Sequence, residues 1–88
     1  MGEIKMDKNQ IIKIAQEYHN TLMDLGYEIK RENREPASLN HILWMISQMA
    51  ELFKQDKFEK MNRWIGFIQG ALWSRGIYSV SEMREHNQ

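Results

Sequence analysis

The 88 residues of this chain suit a single domain with a thin hydrophobic core, and the absence of cysteine excludes disulfides and thiolate metal sites. Twelve basic residues balance twelve acidic ones, which disfavours nucleic-acid binding, because that binding draws much of its affinity from basic side chains at phosphates. No apolar run approaches the roughly 18 residues of a membrane span, and the sequence shows no signal-peptide pattern. We therefore expect a cytoplasmic protein that does not enter a membrane.

The first predicted helix spans about residues 7–25 and is amphipathic. Its apolar side chains recur at intervals of three and four residues, which places them on one helical face: Ile11, Ala15, Tyr18, Leu22 and Leu25. Asp7 with Gln10 has the pattern of a capping box, and Gly26 stands where a left-handed residue ends many helices. We expect this apolar stripe to face the core.

A charged linker, residues 28–37, leads to the second predicted helix at about residues 39–54. Acidic and basic residues of the linker roughly cancel, so we expect a solvated connection, with Pro36 or Ser38 at the start of the next helix. The apolar stripe of that helix is Leu39, Ile42, Ile46, Met49 and Phe53. Trp44 lies well off this stripe, and a large aromatic side chain on a polar face predicts a partner from outside.

The remaining helices are predicted at about residues 57–75 and 80–86. The pattern Asp56-x-x-Glu59 predicts a capping box before the third helix, and Ser79-x-x-Glu82 predicts one before the fourth, which carries Val80 and Met83. The stripe of the third helix is wide, typical of a central helix or one shared with another subunit: Phe58, Met61, Ile65, Ile68 and Leu72, with Trp64 and Ala71 beside them. Because no segment alternates like a strand, the fold class predicted is all-α, a three-helix bundle with a short fourth C-terminal helix.

The third helix also contains a strip of small residues, Gly66, Gly70 and Ser74, at intervals of four. Each glycine costs about 1 kcal/mol relative to alanine inside a helix, so we expect an offsetting contact. We favour close approach of a neighbouring helix; the alternative is a ligand groove with aromatic walls and an arginine that reaches an anion. The predicted ligand- or partner-binding residues are Trp44, Arg63, Gly66, Phe67, Gln69, Gly70, Trp73 and Arg75.

The sequence contains no pattern that predicts catalysis or a metal site. His19, His41 and His86 lack metal-like spacing, and we expect them at the surface or at helix ends. Two Glu-x-x-Glu pairs resemble those that hold Mg²⁺ in helical nucleotide pyrophosphohydrolases, but they fall in the linker and the tail without the matching internal acidic motif. No serine has the setting of a nucleophile elbow. We therefore predict a non-enzymatic protein without a cofactor or metal.

A family resemblance rests on the C-terminal half of the chain. Residues 62–73 read NRWIGFIQGALW, followed by GIY at 76–78 and EMREHN at 82–87, and NHILWM at 40–45 is a weaker upstream echo. These segments are similar to a group of small uncharacterised proteins encoded by bacteriophages. The resemblance implies a phage origin and a setting in the host cytoplasm, and it transfers no site residue. Small phage proteins often act by binding: they inhibit a host factor, sequester a signalling nucleotide or assist assembly.

These observations favour a non-enzymatic phage accessory protein that binds a host factor or a small anionic ligand, with a host defence as a potential target. The surplus of apolar surface predicts a homo-oligomer, most simply a dimer. The alternative is a nucleic-acid-binding or transcription-modulating helical protein, which the neutral charge and the lack of a basic helix disfavour. A small enzyme is the third hypothesis, disfavoured because no acid–base pair emerges.

Overall fold

The computed structural model describes residues 6–87, which form four α-helices and no strand. The helices are α1 (Lys8–Asp24), α2 (Leu39–Lys54), α3 (Phe58–Ser74) and α4 (Val80–His86). The first three pack against one another, and the short α4 packs on α3. The predicted all-α fold, a three-helix bundle followed by a short fourth helix, is confirmed, and the predicted bounds agree to within a residue or two.

Local capping explains where most of these helices begin and end. The Asp7 carboxylate accepts from the Gln10 backbone N–H at 2.9 Å, and the Gln10 side chain accepts from the Asp7 N–H at 3.0 Å. Ser79 and Glu82 make the same reciprocal pair before α4. Gly26 has a φ of +91°, a left-handed conformation that glycine adopts without the strain that a Cβ atom would cause. These caps confirm the predicted boxes at both helices.

The start of α3 differs from the predicted capping box at Asp56 and Glu59. The residue before the helix is Lys57, which makes no side-chain capping bond. Asp56 itself adopts a left-handed φ of +57°, and its carboxylate pairs with the Lys8 ammonium of α1. The prediction was wrong because Asp56 ends α2: its N–H donates to the Phe53 carbonyl and the following N–H donates to the Leu52 carbonyl. The left-handed backbone that this ending requires differs from the extended backbone of an N-cap residue.

The core is formed by the apolar stripes of the three long helices. Its most completely buried side chains are Tyr18, Ile11, Leu22, Ile42, Leu43, Met49, Met61, Ile68 and Leu72. The stripe predicted for the first helix was wrong at its end, since Leu25 is 57% exposed. Leu25 is the C-cap residue of α1, already beyond the last turn that the core covers. Because α2 contacts both α1 and α3, it buries a wider face that also includes Met45 and Leu52.

The linker between α1 and α2 is docked at one end of α2, so it is not a purely solvated connection. The Glu28 N–H donates to the Asn40 side chain at 3.0 Å, and the Glu32 N–H donates to His41 Nδ1 at 2.9 Å. The Ser38 hydroxyl donates to the Glu32 carboxylate at 2.7 Å while Ser38 also caps α2. Polar side chains at the start of α2 thus satisfy the linker backbone and hold it in place.

Truncation of the core on α3 tests the orientation of this helix. Ile68 is fully buried, so Ile68→Ala should lower the free energy of unfolding by about 2–5 kcal/mol through lost burial and a residual cavity. The control is Leu25→Ala, whose exposed side chain should matter by only about 0.5 kcal/mol or less. Urea unfolding of both variants measures the difference, and equal losses would contradict the assigned orientation of α3.

Candidate functional site

The side of α3 opposite the core is exposed along its whole length. Its exposed residues are Glu59, Arg63, Gly66, Phe67, Gly70, Trp73 and Ser74. After Arg63 this side contains no charged residue within the helix, only glycine, serine and two aromatic residues. We name the surface formed by Arg63, Gly66, Phe67, Gly70 and Trp73 the α3 face. A solvent-facing helix side normally carries charged and polar residues, so the α3 face is unusual for an isolated chain.

The two glycines of the α3 face are open to solvent. A Cβ atom added at Gly66 or at Gly70 would meet no atom within 4 Å. The expected close approach of a neighbouring helix is therefore wrong for the helices of the same chain within residues 6–87. The reason is that α1 and α2 both pack on the opposite side of α3, where Met61, Ile65 and Ile68 are buried. The glycines form an uncovered furrow.

The two large aromatic residues of the α3 face stand on either side of this furrow. Phe67 is 44% exposed and Trp73 is 55% exposed. At 100° per residue they lie about 120° apart around the helix axis, with both glycines between them. Large aromatic side chains with this exposure, grouped around a furrow, are typical of an interaction surface.

Trp44, by contrast, finds its partners within its own chain. Its ring lies 6.1 Å from that of Trp64 and 5.3 Å from that of His41, centroid to centroid. The Arg31 guanidinium of the docked linker lies 5.1 Å from its ring centre. The expectation that Trp44 needs a partner from outside was wrong, because the linker and α3 both return to cover this side of α2. Trp44 is half-buried and does not belong to the α3 face.

Gln69 also serves the fold, within a polar cluster that joins α1, α3 and α4. Its side-chain amide donates to the Tyr18 hydroxyl at 3.0 Å and to the Asn87 side chain at 2.7 Å. The Tyr18 hydroxyl is further hydrogen-bonded to His86 Nδ1 at 2.8 Å and contacts the Met83 sulfur at 3.5 Å. Burial raises the pKa of Tyr18 to about 12, partly offset by the bond from Gln69. This cluster holds α4 on the bundle.

Sequence reasoning missed the polar cluster, although one signal was present. Tyr18 stands in the middle of the first apolar stripe, and a tyrosine buried there needs a partner for its hydroxyl. The partner comes from residues up to 68 positions away, a separation that helical periodicity does not encode.

The other predicted site arginine, Arg75, is the exposed C-cap residue of α3. At 100° per residue it points away from the α3 face.

The three histidines occupy different environments. His41 is buried in the first turn of α2, and His86 is the last residue of α4, so both lie at helix ends as expected. His41 meets that expectation by its place at a helix end, although its side chain is buried. Its Nδ1 accepts the Glu32 N–H, and burial, reinforced by the nearby Arg31 charge, lowers its pKa below the ordinary value. Neutral His41 is therefore part of the linker docking site.

Elsewhere on the described part of the chain, a groove of about 200 Å³ lies between α1 and α2. Apolar side chains dominate its lining, with Gln16, His19 and Ser47 as polar members, and none of the predicted site residues lines it. Residues 6–87 contain no group of three His, Asp or Glu side chains placed to hold a metal ion. None of the helices described is both long and apolar enough to cross a membrane.

Acid should weaken the fold through His41. Its pKa is lower in the folded state than in the unfolded chain, so between the two values the unfolded chain binds more protons, and the free energy of unfolding falls as pH drops from about 7.5 to about 5.5. His41→Asn keeps a hydrogen-bond acceptor without the titration and should lose less stability over the same range. Urea unfolding of both proteins at both pH values measures this, and equal losses would contradict the role of His41.

No family model, curated protein or solved structure matches the chain, so the α3 face has to be interpreted from its own chemistry.

Proposed function

We propose that this chain is a non-enzymatic binding protein that works as a homo-oligomer, most simply a dimer, through the α3 face. The observation that supports this most directly is the exposure of Phe67 and Trp73 around two glycines that nothing within residues 6–87 covers. Two glycines inside a helix cost about 2 kcal/mol relative to alanine. In the part of the chain that the structure describes, no contact at the glycines offsets this cost, whereas a second molecule bound in the furrow would offset it.

The exposed aromatic area has the size of an interface centre. Phenylalanine and tryptophan side chains bury about 150–250 Å² each when fully covered. Since about half of each ring is exposed, the two rings together expose roughly 200 Å² per copy. A stable interface buries about 800 Å² per partner. The aromatic pair would therefore supply the energetically dominant centre, with the rest of the exposed side of α3 as its rim.

We base the biological role on the resemblance to phage-encoded proteins. Of the side chains whose pKa is shifted, the Tyr18 hydroxyl and His41 Nδ1 both make hydrogen bonds within the fold, which assigns them to stability. We propose a phage accessory protein in the host cytoplasm that acts by binding, with a host factor or a small anionic ligand as its target. Countering a host defence is one role that we propose for this mode of action.

Sedimentation equilibrium tests the proposal. At about 50 µM the natural chain should sediment as a dimer, and Phe67→Lys and Trp73→Lys should each raise the dissociation constant by about ten-fold or more, a loss of about 1.4 kcal/mol. Met23→Lys is the matched control, because Met23 is 46% exposed on α1, away from the α3 face. A natural chain that stays monomeric at this concentration would refute the proposal.

A second candidate function, nucleic-acid binding, is favoured by a row of cations and tryptophans across α2 and α3. The Arg31 guanidinium lies over Trp44, Trp44 packs on Trp64, and the Lys60 ammonium lies 5.3 Å from the Trp64 ring centre. Aromatic platforms flanked by basic residues bind single strands by stacking and charge. Both tryptophans are half-buried and already covered by cations, so we rank this function second.

Titration with a fluorescent single-stranded oligonucleotide of about 12 nucleotides tests this candidate. If the row binds nucleic acid, affinity should fall steeply between about 50 and 200 mM salt, and Arg31→Glu or Lys60→Glu should weaken binding about ten-fold or more. Lys54→Glu, on an exposed position of α2, is the matched control. Absence of binding at low salt, or equal loss in all three variants, would eliminate it.

A further inference from the structure

The exposed side of α3 contains a regular seam, formed by four residues of the α3 face together with Glu59. Its members are Glu59, Arg63, Gly66, Gly70 and Trp73, which follow one another at intervals of four, three, four and three residues. All five are exposed. This alternation is the spacing of residues along the contact line of two long helices that pack at a shallow angle. The occupant that such a seam fits is therefore another helix, lying nearly along α3.

We infer that this helix is α3 of a second copy, packed antiparallel about a two-fold axis opposite Ile68. The inference rests on the proposed function and specifies the geometry of the dimer. Positions 66 and 70 lie symmetrically about position 68, and so do positions 63 and 73. In an antiparallel pair Gly66 of one copy faces Gly70 of the other, and Arg63 of one copy faces Trp73 of the other. The two-fold symmetry repeats both contacts.

The glycine contacts set the distance between the two helices. Because a Cβ atom at either position would meet no other segment of residues 6–87 within 4 Å, the backbone of each copy is free to enter the furrow of the other. Small residues at a helix crossing let backbones approach more closely than larger side chains allow. This approach brings Arg63 of each copy against Trp73 of the other. Because positions 63 and 73 lie about 15 Å apart along the helix axis, these two contacts flank the glycine contacts on either side.

The Arg63–Trp73 pair that forms on either side of the glycine contacts is chemically complementary. Arginine stacks favourably over the face of a tryptophan ring. Within residues 6–87, Arg31 and Lys60 already cover the rings of Trp44 and Trp64, but no cation covers the ring of Trp73, and Arg63 makes no ion pair. The second copy supplies to each of these two side chains the partner that its own chain does not provide.

Charge also favours the antiparallel arrangement over the parallel one. In a parallel pair each residue of the seam faces its own counterpart, so Arg63 would oppose Arg63 and Glu59 would oppose Glu59, two repulsive contacts. The two helix dipoles would also be aligned. In the antiparallel pair both like-charge contacts disappear and the dipoles oppose one another favourably. The same seam therefore selects one orientation.

The absence of cysteine from the chain allows this register to be read directly by disulfide formation. Gly66→Cys and Gly70→Cys proteins, one of them labelled with ¹⁵N, are mixed, oxidised mildly and analysed by mass spectrometry. A disulfide requires Cα atoms within about 7 Å. We expect the bond between positions 66 and 70 to exceed the 66–66 and 70–70 bonds by about five-fold or more. A mixture of Gly66→Cys with Glu51→Cys, an exposed position on α2, gives the background.

The outcomes separate the inference from the proposed function. Dominant 66–66 and 70–70 bonds would overturn the antiparallel register while leaving a dimer through the α3 face. Background crosslinking in a protein that sediments as a dimer would overturn the register and move the interface elsewhere. A monomeric natural chain would overturn both.

A residue exchange provides a second, independent readout of the pairing at positions 63 and 73. Arg63→Glu should raise the dimer dissociation constant about ten-fold, whereas Arg63→Lys, which keeps the charge, should change it less. The double variant Arg63→Trp with Trp73→Arg restores the same pair in reversed order and should recover most of the affinity. If the double variant has the same circular dichroism spectrum as the natural chain but recovers no affinity, the result would contradict the pairing.

Discussion

Burial of the Met61, Ile65, Ile68 and Leu72 side chains under α1 and α2 is the constraint on which the rest of the structure depends. These four residues set the rotation of α3 about its axis, and a helix that is fixed on one side has its other side determined as well. The side that remains contains the furrow between the two exposed aromatic residues. The core thus creates the α3 face without covering it.

The three tryptophans and Phe67 divide into two groups with different environments. Trp44 and Trp64 pack on each other and are covered by cations, so they stabilise the junction of α2, α3 and the docked linker. Phe67 and Trp73 are about half exposed. A small domain with so thin a core would gain stability by burying them. Their position outside the core is the reason to assign them to association.

Helical periodicity was sufficient to predict the four helices, the capping boxes at Asp7 and Ser79, and most of the core, because these features depend on residues close in sequence. It failed where distant segments meet. Asp56 pairs with Lys8 of α1 and ends α2 in a left-handed conformation instead of capping α3, and Arg31 of the linker covers Trp44. The eight predicted site residues were therefore only partly brought together: the members on α3 form one surface, except Gln69, which the polar cluster uses.

The central claim is that α3 of a second copy covers the α3 face in an antiparallel pair. An isotope-filtered nuclear Overhauser experiment tests it most directly, on an equal mixture of ¹³C-labelled and unlabelled chains, and the 10.6 kDa chain is small enough for it. The account predicts intermolecular signals between the Arg63 side chain and the Trp73 ring, and between the α-protons of Gly66 and Gly70. Intermolecular signals confined to other surfaces, or a sample without any, would contradict it.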